Sequence, residues 1–347
     1  MKKIKQRNGR LPLLLITAIL TLCAGFLIVG CGTDPVLKVK DVNKGAYAVD
    51  FNNCPGDYCY GNSATDPILD ISDKEITFEA MVKKNTGTAV TGAVFSRLNT
   101  SSGAVLYVKD DEPTFAMRVG WIDAANPDAT STASYIVGSN FTLVQDAWTH
   151  IAGVIANTAH THTAILDCTT TVMAETPHLD IYVNGDFKNC NTTWGYDVGG
   201  VTDPATGPQY ADSPGSNKVY LGKIEDSTDA NCVDPTTDSE CNTLDSTIYQ
   251  NTNLNAVVDE LRLWTTARTA AQISECKDKE LGISGGNCYR GDSNLAVYYR
   301  LNEGTANLTT DFSGNGFGGT FYYTDSAGAE HSWDASWVAG NGVTGAD

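Results

Sequence analysis

Positive charge is scarce in this sequence relative to negative charge. Its 347 residues include 23 Lys or Arg against 41 Asp or Glu, a formal net charge of −18. Five of the basic residues (Lys2, Lys3, Lys5, Arg7 and Arg10) precede residue 30, where there is no acid, so the remainder carries a net −23. A surface of that sign repels phosphate, so neither nucleic acid nor nucleotide is an expected partner. Helical periodicity is also scarce and shows only over Thr269–Lys279, where Ala270, Ala271, Ile273 and Cys276 recur at helical spacing. No Cys-x-x-Cys occurs, which disfavours zinc. The bare Gly-x-Ser-x-Gly match at Gly282-Ile283-Ser284-Gly285-Gly286 is not read as a nucleophile elbow and no His-Glu-x-x-His helix is found, so no familiar reaction is indicated and the chain is not expected to be an enzyme. What is present is a globular composition. With 41% apolar residues the chain can bury a sizeable core, which excludes full disorder. Thirty-three glycines, with many Thr, Asn and Asp, favour turns and strands.

The five cations lead into an apolar run, Leu11 to Val29, that ends in Leu27-Ile28-Val29-Gly30-Cys31. A basic head, an apolar stretch and a small residue before the break make a secretory signal. The ending resembles a bacterial lipoprotein signal, which implies cleavage before Cys31 and acylation of that cysteine. Each buried methylene of an acyl chain contributes about 0.8 kcal/mol, so two or three chains hold a domain to a membrane. An uncleaved spanning anchor is the alternative. Residues 1–30 are read as signal, 31–45 as a polar tether, and 46–341 as one domain. The expected location is the cell envelope, on the outer membrane or surface of a bacterium.

Setting aside Cys23 and Cys31, eight cysteines remain: Cys54, Cys59, Cys168, Cys190, Cys232, Cys241, Cys276 and Cys288. An even count in an exported chain reads as a disulfide set. Count alone leaves 105 pairings open. Spacing suggests neighbours, 54–59, 168–190, 232–241 and 276–288, each bracketing a turn-rich loop.

Short β-type runs recur between turns. Ile76–Val82 alternates cleanly, Trp148–Ile155 is strand-like, and Leu179–Val183 runs into Asn184-Gly185, the strongest short hairpin signal. Ala46–Phe51, Val94–Leu98, Ala104–Lys109, Phe115–Trp121, Ser134–Val137, Val219–Gly222, Ala256–Trp264 and Leu295–Leu301 extend the series. Residues 157–178 and 186–253 read as insertions. Many short strands without alternating helices point to an all-β antiparallel sandwich or jelly roll with one short helix.

Five segments, in order, resemble the laminin-G-like, concanavalin A-type jelly roll of bacterial surface proteins. They are Val49-Asp50-Phe51, Ile76–Lys83, Trp148–Val154, Leu179–Gly185 and Val258–Trp264 followed by Ala267–Ile273. A sixth, Leu295–Gly304 with Asp311–Gly316 and Trp337-Val338, resembles a segment that usually opens such domains; at the end of this chain it is expected to add a last strand beside the first. The resemblance implies a fold more than a ligand, because this fold hosts lectins, adhesins, hydrolases and spacers alike. The Glu-x-Asp-x-x-Glu strand of its glucanase members is absent.

Several residues carry the functional expectations. A period of two places Asp259 on the apolar side of its strand, with Val257, Leu261 and Leu263, where a carboxylate needs partners. Relatives in the resembled family often hold a structural Ca²⁺ between first and last strands. Asp259 with Asp311 and Asn315 is the candidate site, the oxygens of Asp311, Ser313 and Asn315 recurring at every second position. A turn capped by its own Asx side chains is the alternative. Tyr182, Trp194 and Tyr196 are candidates for stacking on sugar rings, with core packing as the alternative. The expectation is a lipid-anchored, non-catalytic surface protein that binds a glycan or a protein partner. A structural or adhesive role without a discrete ligand is the alternative, and a glycan-cleaving enzyme is a more distant one.

Overall fold

In the computed structural model, residues 47–63, 75–98, 103–123, 126–156, 178–191, 218–224, 253–341 and 344–345 are described. Cys31, Cys168, Cys232, Cys241, Trp194, Tyr196 and the signal and tether lie outside them. Residues 43–347 cluster as one compact unit.

The early strands are β1 (Tyr47–Asp50), β2 (Tyr58–Ser63), β3 (Ile76–Lys83), β4 (Gly92–Leu98), β5 (Gly103–Lys109), β6 (Glu112–Asp123) and β7 (Asn126–Gly138). The middle of the chain supplies β8 (Trp148–Ala156), β9 (His178–Val183), β10 (Asp186–Asn191), β11 (Tyr220–Leu221) and β12 (Val257–Trp264). After helix α1 (Ala270–Cys276) come β13 (Lys279–Glu280), β14 (Leu295–Tyr299), β15 (Leu308–Thr309), β16 (Gly319–Thr324), β17 (Glu330–Ser332), β18 (Trp337–Ala339) and β19 (Thr344–Gly345).

Seventeen of these strands form two antiparallel sheets, and β13 pairs in parallel with β19 apart from them. The first runs β10-β9-β8-β3-β12-β1-β18, and the second β15-β16-β2-β11-β4-β5-β6-β7. Their facing sides bury one apolar core, in which Phe78, Val82, Ile151 and Ile181 of the first sheet meet Phe95, Leu106, Phe115 and Phe321 of the second. The two-layer antiparallel sandwich expected from the strand pattern is therefore present.

Three local outcomes differ from the sequence reading. The closing segment divides. Trp337 and Val338 pair with Val49 and Ala48 of the first strand, while β14 pairs instead with the second half of β12, from Leu261 to Trp264. The long insertion 186–253 returns to the framework twice, as β10 beside β9 and as β11 between β2 and β4. The helix is shorter than its apolar spacing suggested. Thr269 caps it in a capping box with Gln272, and it ends at Cys276, whose disulfide to Cys288 turns the chain back.

The outer side of the first sheet carries a further layer. Helix α1 and the residues after it lie over the central strands, so that Ile273 packs with Ala152, Val154 and Tyr182, and Cys276, Leu281 and Cys288 pack with Trp264 and Tyr298. Strands β8, β9 and β12 are accordingly buried on both faces.

Candidate functional site

The covering layer is fastened by charge. Glu79 projects from the outward side of β3 and is fully buried. Its Oε2 accepts from Arg262 Nη1 at 3.2 Å and lies 3.3 Å from His150 Nε2, and its Oε1 is 3.1 Å from Arg268 Nη1. Arg268 reaches on to the covering segment, donating through Nη2 to the carbonyls of Gln272 at 3.1 Å and Asn287 at 2.8 Å. Its guanidinium also lies 4.0 Å from the centre of the Trp264 ring. Arg262 donates to Cys276 O, Lys279 O and Glu260 Oε2, and Tyr298 Oη donates to the same Glu260 oxygen at 2.6 Å.

Burial alone would push the Glu79 carboxyl up. Arg268, the His150 hydrogen bond and Arg262 outweigh it and hold it near 2. Burial holds the His150 imidazole below its usual value. A carboxylate so far below neutrality, enclosed and shared between two arginines, is a counter-ion that ties α1 to the sheet. Sequence reasoning missed this cluster, although its signal was present: Thr77, Glu79 and Met81 occupy the side of β3 opposite the apolar one, in the middle of a sheet.

Asp259 does not face the sandwich core. Strand β12 carries a bulge between Asp259 and Arg262, where Glu260 takes a φ of +52°. The extra residue shifts the alternation, so Ala256 and Val258, then Leu261 and Leu263, face inward. Asp259 is buried on the other side, where its oxygens accept from Glu260 N at 2.9 Å and Asn341 N at 3.2 Å. Burial, then the neighbouring Glu260, raises its carboxyl well above the usual range. The neighbouring acids Asp259 and Glu260 thus influence one another.

Asp311 and Asn315 do not fit a calcium cradle. Asp311 Oδ1 accepts from Tyr298 N at 3.0 Å and Ser313 N at 2.9 Å, and its Oδ2 from Ser313 Oγ at 2.8 Å and Phe317 N at 3.0 Å. Four donors take the four lone-pair directions of a carboxylate. The Asn315 amide nitrogen donates to the carbonyls of Leu295 and Ala296, at 2.9 and 3.0 Å. The capped turn is what these bonds build. No group of three or more His, Cys, Asp or Glu side chains is placed to hold a metal among the described residues.

Tyr182 is not a sugar platform. It is 1% exposed, enclosed by Phe187 and by Ile273 of α1. Trp333 likewise packs into the core against Phe51 and Phe321. Of the cysteines, Cys54 is bonded to Cys59 and Cys276 to Cys288, and Cys190 is in a disulfide whose other half lies outside the described residues.

The two ends of the sandwich differ. At one end, short turns join the strands: 84–91, 110–111, 139–147 and 184–185. They are locked to one another. Asp111 accepts from Val90 N at 2.7 Å and pairs with Lys84 at 2.5 Å, its carbonyl takes Leu143 N, and Lys84 O takes Asp146 N. Asp110, Asp111, Asn140, Asp146 and Asn184 all adopt positive φ here, a conformation that Asn and Asp tolerate better than other residues with side chains.

At the opposite end, Ile76 pairs with Ile155, Ala156 with His178 and Leu179 with Asn191, while Leu98 pairs with Gly103 and Ser63 N bonds Val219 O. The segments 64–74, 99–102, 157–177 and 192–217 therefore all leave and rejoin the sandwich at this one end. Trp194 and Tyr196 belong to the last of them.

No family model matches the chain, and no curated protein matches it. Among solved structures it is similar to a candidate carbohydrate-binding protein from Bacteroides ovatus, at 15% identity and a TM-score of 0.47, over 87% of this chain and 62% of that one. The chain thus spans less than two thirds of that protein. A heptameric SAP-like pentraxin from Limulus polyphemus is similar at 15% identity and a TM-score of 0.36, over 67% of this chain and 82% of that one. Domains LG4-5 of the mouse laminin α1 chain are similar at 9% identity and a TM-score of 0.35, over 65% of this chain and 44% of that one. At such values a likeness assigns no activity, and the sandwich rests on its own sheets and registers.

Proposed function

We propose that this chain is a lipid-anchored protein of the cell envelope whose jelly roll binds a glycan or a protein partner without catalysis. The observation that carries the reading is the asymmetry of the two ends. One end carries short interlocked turns, which segment 225–252 rejoins through Asn255, and the other receives the segments 64–74, 99–102, 157–177 and 192–217, the last of which holds Trp194 and Tyr196. A rigid scaffold that presents long polar segments at one rim is the arrangement recognition surfaces use. Asn and Asp supply hydrogen bonds to hydroxyls, and Trp194 and Tyr196 supply flat rings for sugar faces. Export agrees with disulfides at Cys54–Cys59 and Cys276–Cys288. Cys31 is the anchor residue in this reading.

Two experiments test it. The full chain on a glycan array should give selective signals; silence across a broad array and against envelope proteins would return it to a spacer role. Cys31→Ser should abolish incorporation of labelled palmitate in a bacterial host, and unchanged labelling would remove the lipid anchor. New reducing ends after incubation with polysaccharides would overturn the non-catalytic part.

A further inference from the structure

A second buried carboxylate repeats the pattern of Asp311 at the closed end. Asp50, the last residue of β1, is 3% exposed. Its Oδ1 accepts from Asn52 N at 3.0 Å and Asn52 Nδ2 at 2.6 Å, and its Oδ2 from Asn53 Nδ2 at 2.8 Å and Asn85 Nδ2 at 3.1 Å. Asn52 Nδ2 also donates to Asn85 Oδ1 at 2.7 Å, so these two carboxamides close a ring with the acid while Asn53 donates to it from outside that ring. Asp50 therefore links β1 to the turn that follows β3. Asp311, by its bonds to Tyr298 and Phe317, links β14 to the segment before β16.

Calcium binds six to eight oxygens and needs their lone pairs free. Both carboxylates present four donors instead, so a cation approaching either would meet N–H or O–H hydrogens. Asn52, Asn53 and Asn85 stand around Asp50 as donors, which leaves that carboxylate the only charged group of the ring.

We infer that Asp50 and Asp311 are hydrogen-bonded locks that work without a metal, Asp50 holding β1 to the turn after β3 and Asp311 holding β14 to the segment before β16. Each lock uses one negative charge to gather four donors, and charge-assisted bonds of this kind are stronger than neutral ones. The strand junctions are then indifferent to calcium. This inference is independent of what the open end binds.

Thermal unfolding of the full-length protein tests it, in buffer with EDTA and in buffer with calcium chloride. Wild-type Tm is expected to be the same in both. Asp311→Asn and Asp50→Asn turn an oxygen acceptor into an amide donor facing donors, and each should lower Tm by several degrees, equally in the two buffers. Ser313→Ala removes only one donor from Asp311; it gives a smaller, equally calcium-blind drop and keeps the test open if the aspartate variants do not fold. A calcium-dependent rise in wild-type Tm that vanishes in Asp311→Asn, Asp50→Asn or Ser313→Ala would overturn the inference. A rise that survives in all of the variants that fold places the cation elsewhere and leaves the locks standing.

Discussion

The closed end of this sandwich and its open end are made from the same residue types used in opposite ways. At the closed end, Asp, Asn and Lys are spent on one another. Asp111 holds Lys84 and Val90, Glu112 accepts from Asn140 N at 2.7 Å, and Asn184 exchanges backbone and side-chain bonds with His150. At the open end, segments of similar Asn, Asp and Thr content and up to 26 residues in length separate the described strands. Polarity alone therefore does not mark a binding surface. On the proposed reading, recognition falls to polar sequence outside these interlocked turns.

If that comparison is right, stability and binding respond to different substitutions. The largest expected loss comes from the framework beneath α1. Glu79→Ala leaves Arg262 and Arg268 buried without their shared counter-ion and should cost about 3–5 kcal/mol, read as a lower urea midpoint. A loss below about 1 kcal/mol would mean that the covering layer is not held by this network.

Acid attacks the same point. Because the native Glu79 carboxyl sits near 2, below its ordinary 4.5, its contribution is present above about pH 4.5 and lost as pH falls through 2. That contribution is about 3 kcal/mol at neutral pH. A urea midpoint that stays constant for wild type between pH 5 and 2 would contradict the assignment. Glu79→Gln should show a shallower pH slope over that range.

Next comes the closed end itself. Asp111→Ala strips partners from Lys84 and the Val90 amide, and should cost about 1–3 kcal/mol while leaving ligand binding intact. Smallest of all, if Trp194 and Tyr196 serve recognition as proposed, Trp194→Ala and Tyr196→Ala should change stability by no more than about 0.5 kcal/mol.

Much of the framework was legible in residue order. Alternation in Ile76–Val82, the Asn184-Gly185 turn between β9 and β10, and the neighbour pairings Cys54–Cys59 and Cys276–Cys288 all carry local signals. The positions that misled are those where a local pattern meets a distant partner. Nothing in Val258-Asp259-Glu260-Leu261 announces that Glu260 will adopt a left-handed backbone, yet that one residue moves Asp259 to the other side of the sheet. Tyr182 reads as outward-facing on a two-layer sandwich, and it does face outward, but α1 supplies a layer that strand periodicity cannot foresee. Asp311-Phe312-Ser313-Gly314-Asn315 has the spacing of a calcium loop and of an Asx-capped turn alike. Only the direction of its hydrogen bonds distinguishes them.

The division of labour between the two ends is tested most directly by binding measured on paired variants. Isothermal titration of a glycan or protein selected from the array should lose at least tenfold in affinity with Trp194→Ala plus Tyr196→Ala and remain unchanged with Asp111→Ala. Affinity lost in the closed-end variant and kept in the open-end one would contradict the account.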